Sequence, residues 1–438
     1  MLNITGMKKH FKACCIVLLG IYISKTLLSY IQSNTVRISP SPARSNTKHV
    51  DNASNGNRYL EKPRNLLITS LSRNLSTSLC NKSKVRSKSM FTGNMLIDET
   101  HKLLYCFVPK VGCTTWRKIF AVLSDEAIRN KTNGNPENID EDPHYGLHFK
   151  TMKDYNSSQQ EVIIKSYYKF MFVREPFERL ISAYIDKFYV PEPDGFWKAW
   201  GKLIINKYRV NASVASKSCG HDVSFDEFLS HSFSKIEQSD ISGGNTHWTS
   251  IQQICNPCGI NYDYIGHMET MKRDTELILE QANVSHLITQ HKAGISKIKQ
   301  NLHFSEKALV ESANCLNTTD AIQRIINTLT YKGFLPFNST ISEYIKNLKL
   351  NSTSIDVKRR NEYMIKQFSS KLDDILSKAW ENKLKSNASA QDSFKENCLA
   401  RLKKSNIIRK ISSEKIKRFL EYYYLDFELF GYNSSIYS

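Results

Sequence analysis

Two stretches of this chain share one local design: an apolar β-type run, a short turn carrying a basic side chain, and a helical pattern. They are "LLYCFVPKVGCTTWRKIFAVL" at 103–123 and "YYKFMFVREPFERLISAYIDKF" at 167–188. A third stretch, "YDYIGHMETMKRDTELILEQA" at 262–282, repeats strand and helix. Short strands alternating with helices predict an α/β domain with a central, mainly parallel sheet flanked by helices. Ligands of such sheets gather at the carboxyl ends of the strands, where the next helix offers unpaired N–H groups and the positive end of its dipole. Both turns therefore suit an anion.

In "PKVGCTTW", residues 109–116, Gly112 lets the backbone approach a ligand, Thr114 and Thr115 bring hydroxyls to the helix start, and Lys110 adds a charge. The triphosphate loop G-x-x-x-x-G-K-[ST] is absent, which argues against a kinase or ATPase. In "VREPFERLISAY", residues 173–184, Arg174 closes the strand, Pro176 suits the first helical turn, and Ser182 lies further along the helix. A guanidinium grips phosphate bidentately and a serine hydroxyl supplements it. Each turn alone has a plainer reading: Lys110 as a solvated charge, or Arg174, Glu175, Glu178 and Arg179 pairing among themselves. Two such turns in one sheet fit a ligand with two separated anionic groups.

The chain has 438 residues, a hydrophobic fraction of 40% and a formal net charge of +19, so it can bury a core and attract polyanions. Lys8, Lys9 and Lys12 precede the apolar run "ACCIVLLGIYI". From Phe11 to Ile31 the segment reaches the roughly 20 residues a bilayer requires, and charge before it predicts a cytoplasmic tail of 1–10 and a lumenal remainder. An uncleaved anchor is favoured over a cleaved signal peptide, for want of a small-x-small cleavage site. Asn-x-Ser/Thr triplets recur from Asn52 to Asn433. Cys80, Cys106, Cys113, Cys219, Cys255, Cys258, Cys315 and Cys398 form an even set, consistent with disulfides whose pairing the sequence does not give. Residues 32–94 have the Ser-, Asn- and Lys-rich composition of a stem, and the folded domain is expected over 95–438.

"CNPC" at 255–258 invites a zinc reading, but no second C-x-x-C accompanies it, so disulfides are preferred and no metal is expected. "VSFDEFL" spaces Ser224 and Glu227 as a capping box opening a packed helix. Beyond Pro336, "ISEYIKNLKL" and "YMIKQFSSKLDDILSKAW" have helical apolar spacing, whose basic faces need no function.

The paired motifs resemble those of the Golgi membrane-anchored carbohydrate sulfotransferases that modify chondroitin, dermatan and related glycans. That family's 5′-phosphosulfate loop reads close to P-K-V-G-C-T-N-W, with Thr115 here in place of Asn, and its 3′-phosphate motif close to V-R-E-P-F-E-R-L-x-S-A-Y. Further matches are His247 and Trp248, "CNPCGINYDYIG" at 255–266, Glu269 and "LDFELFGY" at 425–432. The likeness covers about 80–295 and 411–432, and 296–410 reads as a family-atypical, helix-rich insertion.

The resemblance implies a P-loop-like sulfotransferase domain that moves a sulfo group from 3′-phosphoadenylyl sulfate to a sugar hydroxyl, with the 4-position of N-acetylgalactosamine favoured. It assigns Pro109, Lys110, Val111, Gly112, Cys113, Thr114 and Thr115 to the phosphosulfate, and Arg174 and Ser182 to the 3′-phosphate. Lys110 is the candidate for stabilising the leaving group, and His144 the candidate base, with His148 and His247 as rivals. The implied partners are a glycosaminoglycan or glycoprotein glycan and the Golgi membrane, and no nucleic acid. A non-catalytic protein holding acidic glycans is the competing reading.

Overall fold

The computed structural model describes residues 79–80, 92–191, 195–234, 245–289, 306–336, 362–372 and 411–437, with single positions at 374, 377 and 407. All lie in one compact unit, Pro63–Ser438. The expected anchor at 11–31 and the segment "ISEYIKNLKL" fall outside the described residues. Among those residues, no helix is long and apolar enough to cross a membrane.

Four strands form one sheet in the order β1 (Met95–Asp98), β2 (Leu103–Cys106), β3 (Tyr168–Val173), β4 (Tyr264–His267). β2, β3 and β4 run parallel, and β1 joins β2 as an antiparallel hairpin. The expected mainly parallel sheet is present, and β1 is the strand the sequence reading did not mark. Its turn is held by Asp98, whose carboxylate accepts from the N–H groups of Thr100 and His101. β2 and nearly all of β3 are buried, the pattern of strands covered on both faces.

Between β2 and β3 come α1 (Cys113–Ser124) and α2 (Ser157–Ser166); α3 (Pro176–Tyr184) follows β3 directly. Trp116 of α1 lies with its ring centroid 4.7 Å from Phe170 and 5.5 Å from Tyr105, which keys the helix to the sheet. α3 opens with Pro176, as its sequence predicts, and runs into a π-helical turn, Ile185–Tyr189. The Ser224–Glu227 capping box is formed and opens the helix Phe225–Ser232.

Further on lie α4 (Ile251–Cys255), α5 (Met271–Gln281), α6 (Thr318–Tyr331), α7 (Ser413–Tyr422) and α8 (Tyr424–Phe430). α6 falls in the stretch expected to be a helical insertion, and its buried face of Ile322, Ile325, Ile326 and Leu329 packs against Trp197 and, from residues 362–372, Ile365, Phe368 and Leu372.

Three disulfides staple the unit: Cys80–Cys258, Cys106–Cys255 and Cys219–Cys315. The two cysteines of "CNPC" thus bond different partners. Leu79 and Cys80 pack against the sheet core, so ordered structure reaches upstream of Met95, into the stretch expected to be stem. Cys113 is the one free thiol among the described residues, and it is buried. Asn156 and Asn317 lie in two of the glycosylation triplets, yet their side chains cap α2 and α6.

The closing segment is tied in by a buried carboxylate. Asp426 of α8 accepts from the N–H groups of Ile251 at 2.7 Å and Gln252 at 2.9 Å, capping α4. Burial pushes this carboxyl up to about 6, against the pull of those two N–H groups and of Arg179, which favour the ionised form. Asp426→Ala leaves two buried donors unmatched and is expected to cost roughly 2–5 kcal/mol, read from denaturant midpoints. Between pH of about 4, where an ordinary aspartate titrates, and about 6, the folded chain keeps a proton that the unfolded chain has lost. Its contribution is greatest below that window and falls as pH rises through it. Wild-type protein should therefore lose stability relative to Asp426→Asn from pH 4 to 6 and run parallel to it above; parallel curves throughout would refute the assignment.

Candidate active site

The packing of Trp116 holds the turn after β2 at the carboxyl edge of the sheet. Within it Lys110 and Gly112 are both left-handed, with φ of 70° and 78°. For lysine that conformation costs about 1–2 kcal/mol, so the surroundings must impose it. At Gly112 a Cβ would run into Cε of Met271 on α5. Pro109, Val111 and Cys113 are buried, while Thr114 and Thr115 are half-buried on the first turn of α1. Gly112 offers α1 no side-chain cap, so the helix end still has N–H groups to give.

The second turn is bound to the first. Nη1 of Arg174 donates to the Lys110 carbonyl at 3.2 Å, and Nη2 pairs with Oε2 of Glu178 at 3.3 Å. Glu175 accepts from the Glu178 N–H at 2.7 Å and caps α3 with its own carboxylate. Part of the plainer reading therefore holds: Arg174 pairs with Glu178, and an anion at this turn meets side chains rather than a bare helix end. Arg179 departs from it. Fully buried, it donates to the carbonyls of Pro109 at 3.1 Å, Thr249 at 2.7 Å and Thr246 at 2.7 Å.

Ser182 is half-buried and lies one helical turn beyond Glu178 and one before Asp186, on the same face. Asp186 sits in the π-helical turn, a feature frequent at functional sites. Its Oδ2 takes Lys110 Nζ at 3.0 Å and Lys187 Nζ at 3.5 Å. From α6, the Tyr331 hydroxyl donates to Oε2 of Glu178 at 3.0 Å. Lys332 follows at the end of α6 and is exposed.

The three candidate histidines are placed differently. His144 is exposed on a turn that Arg117 of α1 pins by donating to the Pro143 carbonyl at 2.6 Å, and Asp142 accepts from its N–H at 2.7 Å. Its Nε2 lies 3.1 Å from Oγ1 of Thr114, so the structure brings this candidate to the first turn. His148 is exposed further along the same segment. His247 donates from Nδ1 to the Asn245 side-chain carbonyl at 2.7 Å, leaving Nε2 as its basic nitrogen. Burial, then Lys187 and Lys110, push it down to about 3, so it is neutral at physiological pH.

Sequence reasoning found the two turns and His144 but missed the groups that set their charge balance. Asp186 had a usable signal, its spacing of four residues from Ser182. Arg179 had one too, as a cation amid the apolar residues of an otherwise amphipathic helix. Tyr331 had none, because only tertiary packing brings it to α3. Cys255 and Cys258 are committed to disulfides, and no group of three or more His, Cys, Asp or Glu among the described residues is placed to hold a metal ion.

Comparison with known proteins bears on the same region. Mouse carbohydrate sulfotransferase 11 is 35% identical over 232 residues, 52% of this chain and 65% of the relative. Zebrafish carbohydrate sulfotransferase 14 is 34% identical over 230 residues, covering 51% and 58%, and human carbohydrate sulfotransferase 9 is 36% identical over 186 residues, covering 42% and 40%. The chain thus spans less than two thirds of the length of these relatives. No solved structure matches. The model of the sulfotransferase family matches residues 93–338. With both anion-facing turns inside that span, which is more than half of its length, the chain belongs to the sulfotransferase family.

Proposed function

We propose that this chain transfers a sulfo group from 3′-phosphoadenylyl sulfate to a glycan hydroxyl, with the 4-hydroxyl of N-acetylgalactosamine in chondroitin or dermatan as the favoured acceptor. The observation that carries the reading is the junction of the two turns through Arg174 and the Lys110 carbonyl, which sets two anion-binding groups side by side at the sheet edge. The donor carries two matching groups, a 5′-phosphosulfate and a 3′-phosphate. The names of the relatives support carbohydrate as the acceptor class.

In this reading residues 109–115 hold the phosphosulfate, using the uncapped end of α1, the Thr114 and Thr115 hydroxyls and Lys110. Arg174 and Ser182 hold the 3′-phosphate. Glu178 and Asp186 keep Arg174 and Lys110 oriented, and the donor's anions take over as partners when it binds. The acceptor oxygen attacks sulfur, the bond from sulfur to the bridging oxygen breaks, and its electron pair moves to that oxygen, where the Lys110 charge stabilises it. The acceptor proton passes to His144, which its contact with Thr114 places beside the donor loop.

The chain is proposed to be a single-pass type II Golgi membrane protein with its folded domain in the lumen. The Lys-flanked apolar segment at 11–31 supports this, as do three disulfides, which persist in oxidising compartments.

Arg174→Ala and Ser182→Ala should each weaken both the donor and its desulfated product about 10- to 150-fold by calorimetry, since both ligands carry the 3′-phosphate. Unchanged affinity for both would remove these residues from the site. Lys110→Ala should depress turnover far more than donor affinity, because its charge matters most as the leaving oxygen becomes negative. His144→Ala should lower turnover about 10²- to 10⁴-fold with donor binding preserved; a loss of a few-fold would leave it only a positioning role. If wild-type protein binds acidic glycans tightly yet sulfates none of a panel of desulfated glycosaminoglycans, the non-catalytic reading, which the net charge of +19 also fits, takes its place.

A further inference from the structure

We infer that the end of α6 braces the donor pocket, with Tyr331 as a positioning residue for Arg174. The inference rests on the donor reading above and extends the site to a part of the chain more than 140 residues beyond the second turn.

α6 is fixed against the site wall by several independent contacts. Arg324 donates to the carbonyls of Tyr189, at 3.1 Å, and His221, at 2.8 Å, and its guanidinium lies 5.4 Å from the centre of the Tyr189 ring. Asn327 donates to the Tyr189 hydroxyl at 2.8 Å. Cys315, just ahead of α6, is bonded to Cys219. Tyr189 ends the same π-helical turn that carries Asp186, so these contacts hold the end of α6 to the segment that holds Lys110.

Tyr331 is buried, and its hydroxyl reaches the very oxygen of Glu178 that Arg174 uses. A carboxylate oxygen shared between a hydroxyl and a guanidinium keeps one rotamer, and Arg174 is presented in one place.

The probe is adenosine 3′,5′-bisphosphate, titrated by calorimetry into the folded wild-type domain and its variants, each checked by thermal melting. Tyr331→Phe should bind it several-fold more weakly, and Lys165→Gln, a remote surface change, should bind as wild type. Tyr331→Phe should raise the KM for donor several-fold with kcat and melting temperature nearly unchanged, a split that a merely structural role would not produce. If wild type binds the bisphosphate and Tyr331→Phe binds it equally well, the inference fails while the donor reading stands. If wild type does not bind it at all, both fall together.

Discussion

The buried guanidinium of Arg179 is the interaction on which the site depends. It rises from α3 and ends on three carbonyls from two other segments: Pro109, before the lysine turn, and Thr246 and Thr249, on either side of Trp248. Each carbonyl is a partial negative charge already fixed by local structure, so the cation is solvated by the protein instead of by water. One side chain thereby sets the distance between the two anion turns and holds the segment bearing His247. Asp426 works on the same segment from the other side by capping α4. Helix α8 is thus tied to a sheet edge built from strands far upstream.

The site is an arrangement of opposite charges held in pairs. Lys110 rests on Asp186 and Arg174 on Glu178, in pairs whose side chains are largely withdrawn from solvent. Without those carboxylates, clustered cations would repel one another and lose their orientation. With them, each cation is held in one orientation beside its carboxylate. Lys110 combines a left-handed backbone with a side chain paired to Asp186 of the π-helical turn after α3.

What the sequence made legible follows from the range of the forces involved. Strands β2, β3 and β4, helices α1, α3 and α5, the Ser224–Glu227 box and the N-terminal role of Pro176 all rest on local pattern, and they appear where the pattern puts them. The two turns were legible because each joins a strand and a helix that are neighbours in sequence. β1 was missed because four residues with no alternation carry little signal. The disulfide pairing was illegible because "CNPC" divides its cysteines between partners on β2 and at residue 80. The contribution of α6 was illegible for a related reason: its polar residues look like an ordinary solvated face until the fold shows that Arg324 and Asn327 grip the Tyr189 turn.

The disulfides also set a problem for the chain as it is made. Cys80 and Cys106 leave the ribosome well before their partners, with separations of 178 and 149 residues. At about 5–20 residues per second, Cys80 waits roughly 9–36 s for Cys258. Throughout that wait Cys80 and Cys106 are each other's nearest thiols but for the soon-buried Cys113, and a bond between them would pin β2 before β3 exists to pair with it. Reaching the native pairing requires that such early bonds be reversible. The maturation rate of this protein is then governed by thiol exchange, and by whatever catalyses it, more than by the speed at which its sheet assembles.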